Sequence, residues 1–218
     1  MSTAAVALPP DAELVLGLRG GVQSTFTLLL DAWSPGMLRT ARAYVASTEA
    51  AEDVVQETWL AVIRGIDGFA GRSSLRTWVY RILVNIAKTH GVKDSRTLAW
   101  SALTGDDDAG STVDPSRFQG PDEPYPGHWR RFPDAWPSPE SEVMWREARG
   151  MIDAVLADLP HRQRVVITLR DVEGYTSDEV CSILDITAGN QRILLHRARA
   201  VVRRRLEEYF STSGAGVR

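Results

Sequence analysis

The residues with the clearest chemical potential in this chain are a run of cations near its C-terminus. They recur every three or four positions between residues 192 and 204, which places them on adjoining faces of one helix. Leu195, Ala198 and Val202 form a separate apolar row. The cationic residues are Arg192, His196, Arg197, Arg199, Arg203 and Arg204. A helix with one apolar and one cationic face is suited to pack on a core and to contact nucleic-acid phosphates.

A short helix is expected just before this one, over residues 177–184, with a helix-breaking turn between the two. Thr176 and Glu179 have the types and spacing of a capping box. A capped short helix, a turn and a cationic helix together predict a helix-turn-helix whose last helix begins in the major groove. The alternative is an ordinary C-terminal helix with a basic, solvated face.

Cations, aromatic rings and an amide are also interleaved in residues 69–88. A glycine-flanked loop leads into a helix, with Phe69 and Trp78 close to its start. Rings can stack on unpaired bases while cations follow phosphates, so this segment suits single-stranded nucleic acid. The alternative is a helix packed through Trp78 with scattered surface charge. The outward residues are predicted to be Arg76, Tyr80, Arg81, Asn85 and Lys88.

An acidic patch lies on a third predicted helix, over residues 51–66. Its apolar stripe is Val55, Trp59, Val62 and Ile66, and its opposite side carries Glu52, Asp53, Gln56 and Glu57. The patch could dock on a basic partner surface, and the alternative is a solvated helix face.

Composition and motifs argue against several other classes of protein. One cysteine excludes a disulfide or a zinc finger within the chain, and the four histidines lack metal-ligand spacing. No catalytic motif is present, so we predict no enzyme activity, no metal and no cofactor. No apolar run approaches a membrane span and the N-terminus lacks a signal-peptide pattern, so we expect a soluble, cytoplasmic protein without membrane insertion. The net charge of −3 argues against non-specific polyanion binding by the whole molecule.

The helical periodicities predict an all-α fold with two small domains joined by a long linker rich in Pro and Trp. Seven of the eleven prolines lie within residues 101–139, beside five aromatic residues that invite docking. The second domain carries the helix-turn-helix. The predicted divisions are a flexible N-terminus (1–11), a first domain (12–96), the linker (97–139), a second domain (140–210) and a flexible tail (211–218).

The remaining helices follow from apolar spacing and from breaking residues. We expect helices over 12–30 and 35–47, interrupted near Ser34-Pro35-Gly36, and a cap at Ser74 for the helix that follows the loop. After the linker, residues 142–159 and 161–172 are predicted helices, the second ended by Gly174.

Four stretches carry a resemblance to a known family. They read DVVQETWLAVIRGIDGF, GRSSLRTWVYRILVNIAK, LPHRQRVVITLRDVEGYTSDEVCSILDIT and GNQRILLHRARAVVRRRL. Over roughly residues 12–95 and 142–208 the chain resembles the extracytoplasmic-function sigma factors of bacterial RNA polymerase. This resemblance implies a non-enzymatic specificity subunit that brings core polymerase to promoters and helps to melt them. It implies contacts with the β′ clamp helices, the β flap and promoter DNA, and it admits an anti-sigma factor as a further partner.

The resemblance also assigns roles position by position. Asp53, Gln56 and Glu57 match the D-x-x-Q-E of the clamp-binding helix. The loop that receives a flipped base corresponds to Gly71, Arg72, Ser73 and Ser74. The strand-opening and minus-ten segment corresponds to Arg76, Trp78, Tyr80, Asn85 and Lys88. The minus-thirty-five positions correspond to Arg170, Asn190, Arg192, Ile193, His196 and Arg197.

Some residues depart from the family pattern. Asn190, Gln191, Ile193 and Leu194 differ from the common recognition helix, so the preferred promoter should differ too. Gln191 falls on the core side, where a structural role is the alternative to base reading. Arg72 stands where the loop often carries an acid, so the identity of the flipped base is left open.

Two other functions compete with this reading. A stand-alone helix-turn-helix regulator would bind duplex DNA by itself, but it leaves the acidic patch and residues 69–88 unexplained. An adaptor that binds polymerase or an anti-sigma factor without DNA leaves the cationic helix unexplained.

Overall fold

A computed structural model describes residues 8–95 and 142–213 of the chain. Within these ranges all regular structure is helical, which confirms the all-α prediction. The predicted linker at 97–139, with its aromatic residues, lies outside the described residues. No helix in the described part is long and apolar enough to cross a membrane. The same residues contain no group of three or more side chains that could hold a metal ion.

The N-terminal half forms four helices, α1 (Asp11–Arg19), α2 (Gln23–Ala41), α3 (Thr48–Gly65) and α4 (Leu75–Ser95). A 3-10 turn at Ile66–Gly68 follows α3. Ser47 caps α3 by accepting a hydrogen bond from the Ala50 backbone N–H at 3.1 Å. Ser74 caps α4 as predicted, because its Oγ accepts from the Thr77 backbone N–H at 3.1 Å.

The predicted interruption at Ser34-Pro35-Gly36 is wrong, since α2 runs through all three residues. Proline removes one backbone donor from a helix, and here the loss is offset by burial of the neighbouring Trp33 and Met37. The chain breaks instead at Gly20 and Gly21. Gly21 has φ +65°, a left-handed conformation that glycine adopts without a side-chain clash.

The apolar stripe predicted for the third helix is buried and anchors α3 on α2. Val55, Trp59, Val62 and Ile66 are all in the core. The Trp59 ring contacts the rings of Phe26 and Trp33, with centroids 5.5 and 6.3 Å apart. The polar residues of α3 therefore face outward.

The C-terminal half contains α5 (Glu142–Asp158), α6 (His161–Ile167), α7 (Ser177–Leu184) and α8 (Ala188–Ser213). A π-helical turn at Thr168–Val172 extends α6, and Gly174 at φ +76° follows it. The capping box of Thr176 and Glu179 is present at the start of α7. Asp185 is left-handed, with φ 58°, and turns the chain toward α8.

The described residues cluster into two compact units. The first unit contains α1–α4 together with Val165–Gln191, and the second contains the described residues before 165 and after 191 in the C-terminal half. In the first unit, the rings of Tyr80 and Tyr175 are buried and their centroids are 5.0 Å apart. Residues from α7 and the segment before it thus complete a core that α2 and α4 begin.

Candidate nucleic-acid and partner-binding surfaces

The acidic face of α3 is exposed as predicted. Asp53, Gln56 and Glu57 lie opposite the buried stripe, next to Glu52. Glu57 Oε2 lies 3.1 Å from Nε2 of His90 on α4, which ties this end of the face to a second helix. Three polar side chains on successive turns give a surface that can bind a basic partner helix.

Two exposed apolar residues, neither of them a sequence candidate, continue this face. Leu60 and Ile63 are each 51% exposed on α3. Leu60 lines a groove of about 530 Å³, together with Glu57, Ala61, Arg64, Gly65 and Ile86. The signal was present in the sequence, because positions 60 and 63 are apolar but fall outside the buried stripe. An acidic face beside an apolar groove suits a partner with both basic and apolar side chains.

The loop before α4 brings Gly71, Arg72, Ser73 and Ser74 together at the surface. Gly71 has φ +66°, which favours glycine there. Gly71, Arg72 and Ser74 are exposed and Ser73 is half-buried. Behind the loop, the rings of Phe69 and Trp78 lie 5.3 Å apart. The arrangement places an exposed cation and polar groups beside a pair of aromatic rings.

Residues of α1 hold both ends of this loop. Arg19 donates hydrogen bonds to the carbonyl oxygens of Ile66, Asp67 and Phe69, at 3.3, 3.2 and 3.0 Å. Asp11 Oδ2 accepts from the Leu75 backbone N–H at 2.7 Å, at the first residue of α4. Neither residue was a sequence candidate, because no local pattern links positions 11 and 19 to positions 66–75.

The outward face predicted for α4 is correct for Arg81, Asn85 and Lys88, which are exposed. It is wrong for Tyr80, which is 0% exposed. Burial raises the pKa of the Tyr80 phenol, and the negative charge of Glu173 raises it further, so the hydroxyl stays neutral and donates. Trp78 and Arg76 are half-buried. Helix α4 therefore presents Arg81, Asn85 and Lys88 to solvent, whereas Arg76 and Tyr80 lie against other residues of the same unit.

Glu173 lies at the centre of those contacts, with its side chain only 4% exposed. Arg39 donates to Glu173 Oε1 from Nε and Nη2, both at 2.9 Å. Arg76 Nη2 and the Tyr80 hydroxyl approach the other carboxylate oxygen at 3.3 and 3.4 Å. The Arg76 guanidinium also lies over the Tyr175 ring, 4.5 Å from its centroid. We call Glu173, Arg39, Arg76, Tyr80 and Tyr175 the Glu173 cluster.

Arg170 and the residues around the turn between α7 and α8 have structural contacts. Arg170 Nη1 donates to the Tyr175 carbonyl oxygen at 2.6 Å, which holds the segment before α7. Asn190 is half-buried, and its backbone N–H donates to Thr187 Oγ1 at 3.2 Å. Gln191 is buried and accepts from Ser177 Oγ at 2.9 Å, so its structural alternative is confirmed.

Most of the cationic residues of α8 are exposed as the periodicity predicted. Arg192, Ile193, His196, Arg199, Arg203 and Arg204 are exposed, and Arg197 is half-buried. Leu195 and Ala198 of the apolar row are buried. Helix α8 therefore carries a cationic surface that begins in its first turns, with Ile193 as an apolar contact among the cations.

Two family models match the chain in separate segments. One described as Sigma-70 region 2 matches residues 29–97, and one described as Sigma-70, region 4 matches residues 149–202. The first covers the acidic face of α3, the loop and α4. The second covers α6, α7 and α8 as far as Val202.

Curated relatives match over nearly the whole chain. The ECF RNA polymerase sigma-E factors of Salmonella typhimurium LT2 and Escherichia coli K12 are each 30% identical over 192 residues, which is 88% of this chain and 92% of theirs. The factor of the same name from Haemophilus influenzae is 27% identical over 197 residues, covering 90% of this chain and 95% of its own.

Solved structures share the fold. The structure of CnrH in complex with the cytosolic domain of CnrY matches with a TM-score of 0.56 and 19% identity, over 91% of this chain and 97% of that one. The sigma factor RpoE from Bartonella quintana, in complex with the anti-sigma factor NepR, matches with a TM-score of 0.55 and 20% identity, over 84% and 96%.

We predict that Arg19→Ala will loosen the loop before α4. Three hydrogen bonds to carbonyl oxygens are lost, but the guanidinium is partly exposed, so the free energy of unfolding should fall by only about 1 kcal/mol. Amide hydrogen exchange over residues 66–74 should accelerate more than exchange in α2.

The matched control is Arg42→Ala, which removes an exposed arginine just after α2. Equal exchange in the two variants over residues 66–74 would show that Arg19 does not hold the loop.

Proposed function

The chain belongs to the extracytoplasmic-function family of RNA polymerase sigma factors, and we propose that it uses the surfaces described above for the family's separate contacts. It directs RNA polymerase in transcription initiation, and its partners are RNA polymerase and promoter DNA. Sigma factors are DNA-binding initiation factors rather than enzymes. The observation that carries this function is the presence of region 2 and region 4 in one chain, in that order, at residues 29–97 and 149–202. We place its action in the cytoplasm, beside polymerase.

The polymerase contact is assigned to α3. Asp53, Gln56 and Glu57 would bind the β′ clamp helices, because their exposed acidic face fits a basic partner. Leu60 and Ile63 extend the contact with apolar area, which removes water around the charged pairs and strengthens them.

The loop and α4 are assigned to the melted minus-ten element. Gly71, Arg72, Ser73 and Ser74 would accept a flipped base, and Trp78 would stack at the edge of the opened duplex. Asn85 and Lys88 are exposed farther along α4 and would follow the strand. Arg76 and Tyr80 belong to the same proposed surface, although both are engaged by Glu173 in this structure.

The minus-thirty-five element is assigned to α8 and the residues before it. Arg192, Ile193, His196 and Arg197 are candidates for base and phosphate contacts in the major groove. Asn190 would reach the groove from the first turn. Arg170 would contribute by holding the segment before α7, as its bond to the Tyr175 carbonyl oxygen supports.

Three further roles are proposed from family membership. The segment at 97–139 would connect the two promoter-binding domains, and the second domain, at 140–210, would also hold the β flap. An anti-sigma factor is a third proposed partner, supported by the complex in which RpoE and NepR were solved together.

We predict that the purified chain alone will bind promoter DNA only weakly in a gel-shift assay. With core polymerase present, the binding should become specific and should lead to transcription. The net charge of −3 and the small basic patches leave little sequence-independent attraction to DNA. Replacing Asp53, Gln56 and Glu57 with alanine should weaken core binding about tenfold or more, which is ~1.4 kcal/mol. Transcription from a cognate promoter should fall in parallel.

The control for this triple variant is Glu13→Ala with Asp31→Ala, which removes exposed carboxylates from α1 and α2. Unchanged core affinity in the triple variant would show that the α3 face is only solvated. Tight, specific binding by the chain alone at physiological salt would favour the stand-alone regulator.

A second prediction separates base reading from anchoring along α8. His196→Ala or Arg197→Ala should lose discrimination at particular minus-thirty-five positions, by about 1–3 kcal/mol where a direct base contact is removed. Arg203→Ala or Arg204→Ala should weaken binding to all sequences alike and reduce its salt dependence. Both effects can be measured as binding of the polymerase complex to promoters with single-base changes. If all four variants lose affinity equally for every promoter, α8 contacts only the DNA backbone.

A further inference from the structure

The Glu173 cluster buries an ionised group at a contact between the first domain and the segment before α7. Transfer of a carboxylate out of water costs several kcal/mol unless it is paired and hydrogen-bonded. Here each oxygen of Glu173 faces a different arginine, Arg39 or Arg76. The Tyr80 hydroxyl adds a hydrogen bond at 3.4 Å. The carboxylate is thus stable where it lies because two cations surround it.

The fit around Glu173 is tight as well as charged. A Cβ added at Gly36 of α2 would collide with the Glu173 carboxylate and would lie 2.6 Å from the Tyr80 hydroxyl. Glycine at this position therefore lets the segment before α7 approach α2. Any larger residue would require the carboxylate to move.

A second contact joins α7 to the first turn of α4 and its cap. Thr77 Oγ1 donates to Glu179 Oε1 at 3.1 Å and accepts from Ser74 Oγ at 2.8 Å. Burial opposes ionisation of Glu179, but hydrogen bonds from Thr176 and Thr77 outweigh it and lower the pKa of the carboxyl. The carboxylate is therefore charged at neutral pH and accepts these bonds.

These contacts occupy side chains that the proposed function assigns to melted DNA. Arg76 is paired with Glu173 and covered by the Tyr175 ring, and Tyr80 is fully buried. A DNA phosphate would need the same guanidinium that the carboxylate holds. A base stacking on the Tyr80 ring would need the space that the Tyr175 ring occupies, with its centroid 5.0 Å away. Nucleic acid and residues 173–179 therefore compete for one surface.

We propose that the Glu173 cluster is an autoinhibitory contact, in which Glu173 and Tyr175 stand in for the phosphate and base of melted promoter DNA. The inference rests on the proposed minus-ten role of Arg76 and Tyr80. In the free chain the closed contact withholds these two residues, while Asn85 and Lys88 stay exposed. When the contact opens, a DNA phosphate replaces the Glu173 carboxylate as the anion paired with Arg76. The closed form thereby limits binding of single-stranded DNA away from polymerase.

Two variants open this contact by different physical routes. Glu173→Gln keeps the shape of the side chain and removes its charge, so both arginines lose their ionic partner. Gly36→Ala leaves every charge in place and blocks the approach of Glu173 by steric collision. Neither substitution replaces Arg76 or Tyr80. The methyl group of Gly36→Ala also meets the Tyr80 hydroxyl, whereas Glu173→Gln keeps the heavy-atom shape of the side chain beside both residues.

The readout is fluorescence anisotropy of a short fluorescein-labelled single-stranded DNA of mixed sequence, titrated with free protein at low salt. If the closed form holds about nine molecules in ten, opening should raise the apparent affinity about tenfold in both variants. Amide hydrogen exchange over residues 173–180 should accelerate at the same time, because α7 has only eight residues and depends on tertiary contacts.

Matched controls are Asp31→Asn, an exposed carboxylate of α2, and Gly150→Ala, a helical glycine of α5 with open space around it. Both should bind single-stranded DNA as the parent chain does. Faster exchange with unchanged DNA affinity would overturn the proposal, since the contact would then cover nothing that binds. Unchanged exchange and affinity would overturn it too. If one variant fails to fold, the other decides by the same criteria.

Thermal unfolding supplies an independent check on the contact. Arg39→Gln, Glu173→Gln and the double variant form a double-mutant cycle. The cycle measures the Arg39–Glu173 interaction from the free energies of unfolding, in solution and without DNA. If the destabilisation of the double variant equals the sum of the two single effects, Arg39 and Glu173 do not interact in solution, which would contradict the closed contact. Failure of promoter-directed transcription with core polymerase would instead refute the proposed function, so the two ideas fail in different assays.

Discussion

Burial of the Glu173 carboxylate is the constraint on which the arrangement of the first unit depends. Its side chain is 4% exposed, so its charge must be met inside the protein. Arg39 comes from α2 and Arg76 from α4, which fixes the spacing of these helices around one anion. Gly36 supplies the space that the carboxylate needs. A single ionic requirement thus selects residues on three separate stretches of the chain.

The same constraint bears on the proposed opening of the contact. A buried ion pair contributes little net stability, because desolvation of the ions offsets most of their attraction. Removal of one partner is costly, because it leaves an uncompensated charge in the interior. In the proposed opening, a DNA phosphate takes the place of Glu173 at Arg76, while Arg39 and Glu173 return to water. An apolar contact of similar area would lack this dependence on the charge of the competing ligand.

Local periodicity in the sequence predicts much of the fold but little of the Glu173 cluster. The stripe from Val55 to Ile66 and the capping box at Thr176 depend on residues three or four positions apart, so the sequence alone predicted them. The hydrogen bond between Arg39 and Glu173 joins residues 134 positions apart, which no helical pattern records. Tyr80 was misplaced for the same reason, since a partner segment distant in sequence covers its face of α4.

Pro35 illustrates the opposite error, in which a local rule was applied too strongly. The residue lacks a backbone donor and normally ends a helix, yet α2 continues through it because both flanks pack into the core. The site residues divide in the same way, into those that a local pattern predicts and those that depend on contacts distant in sequence. The exposed rows of α3 and α8 could be found by period, whereas Arg19 and Asp11, which hold the loop, could not.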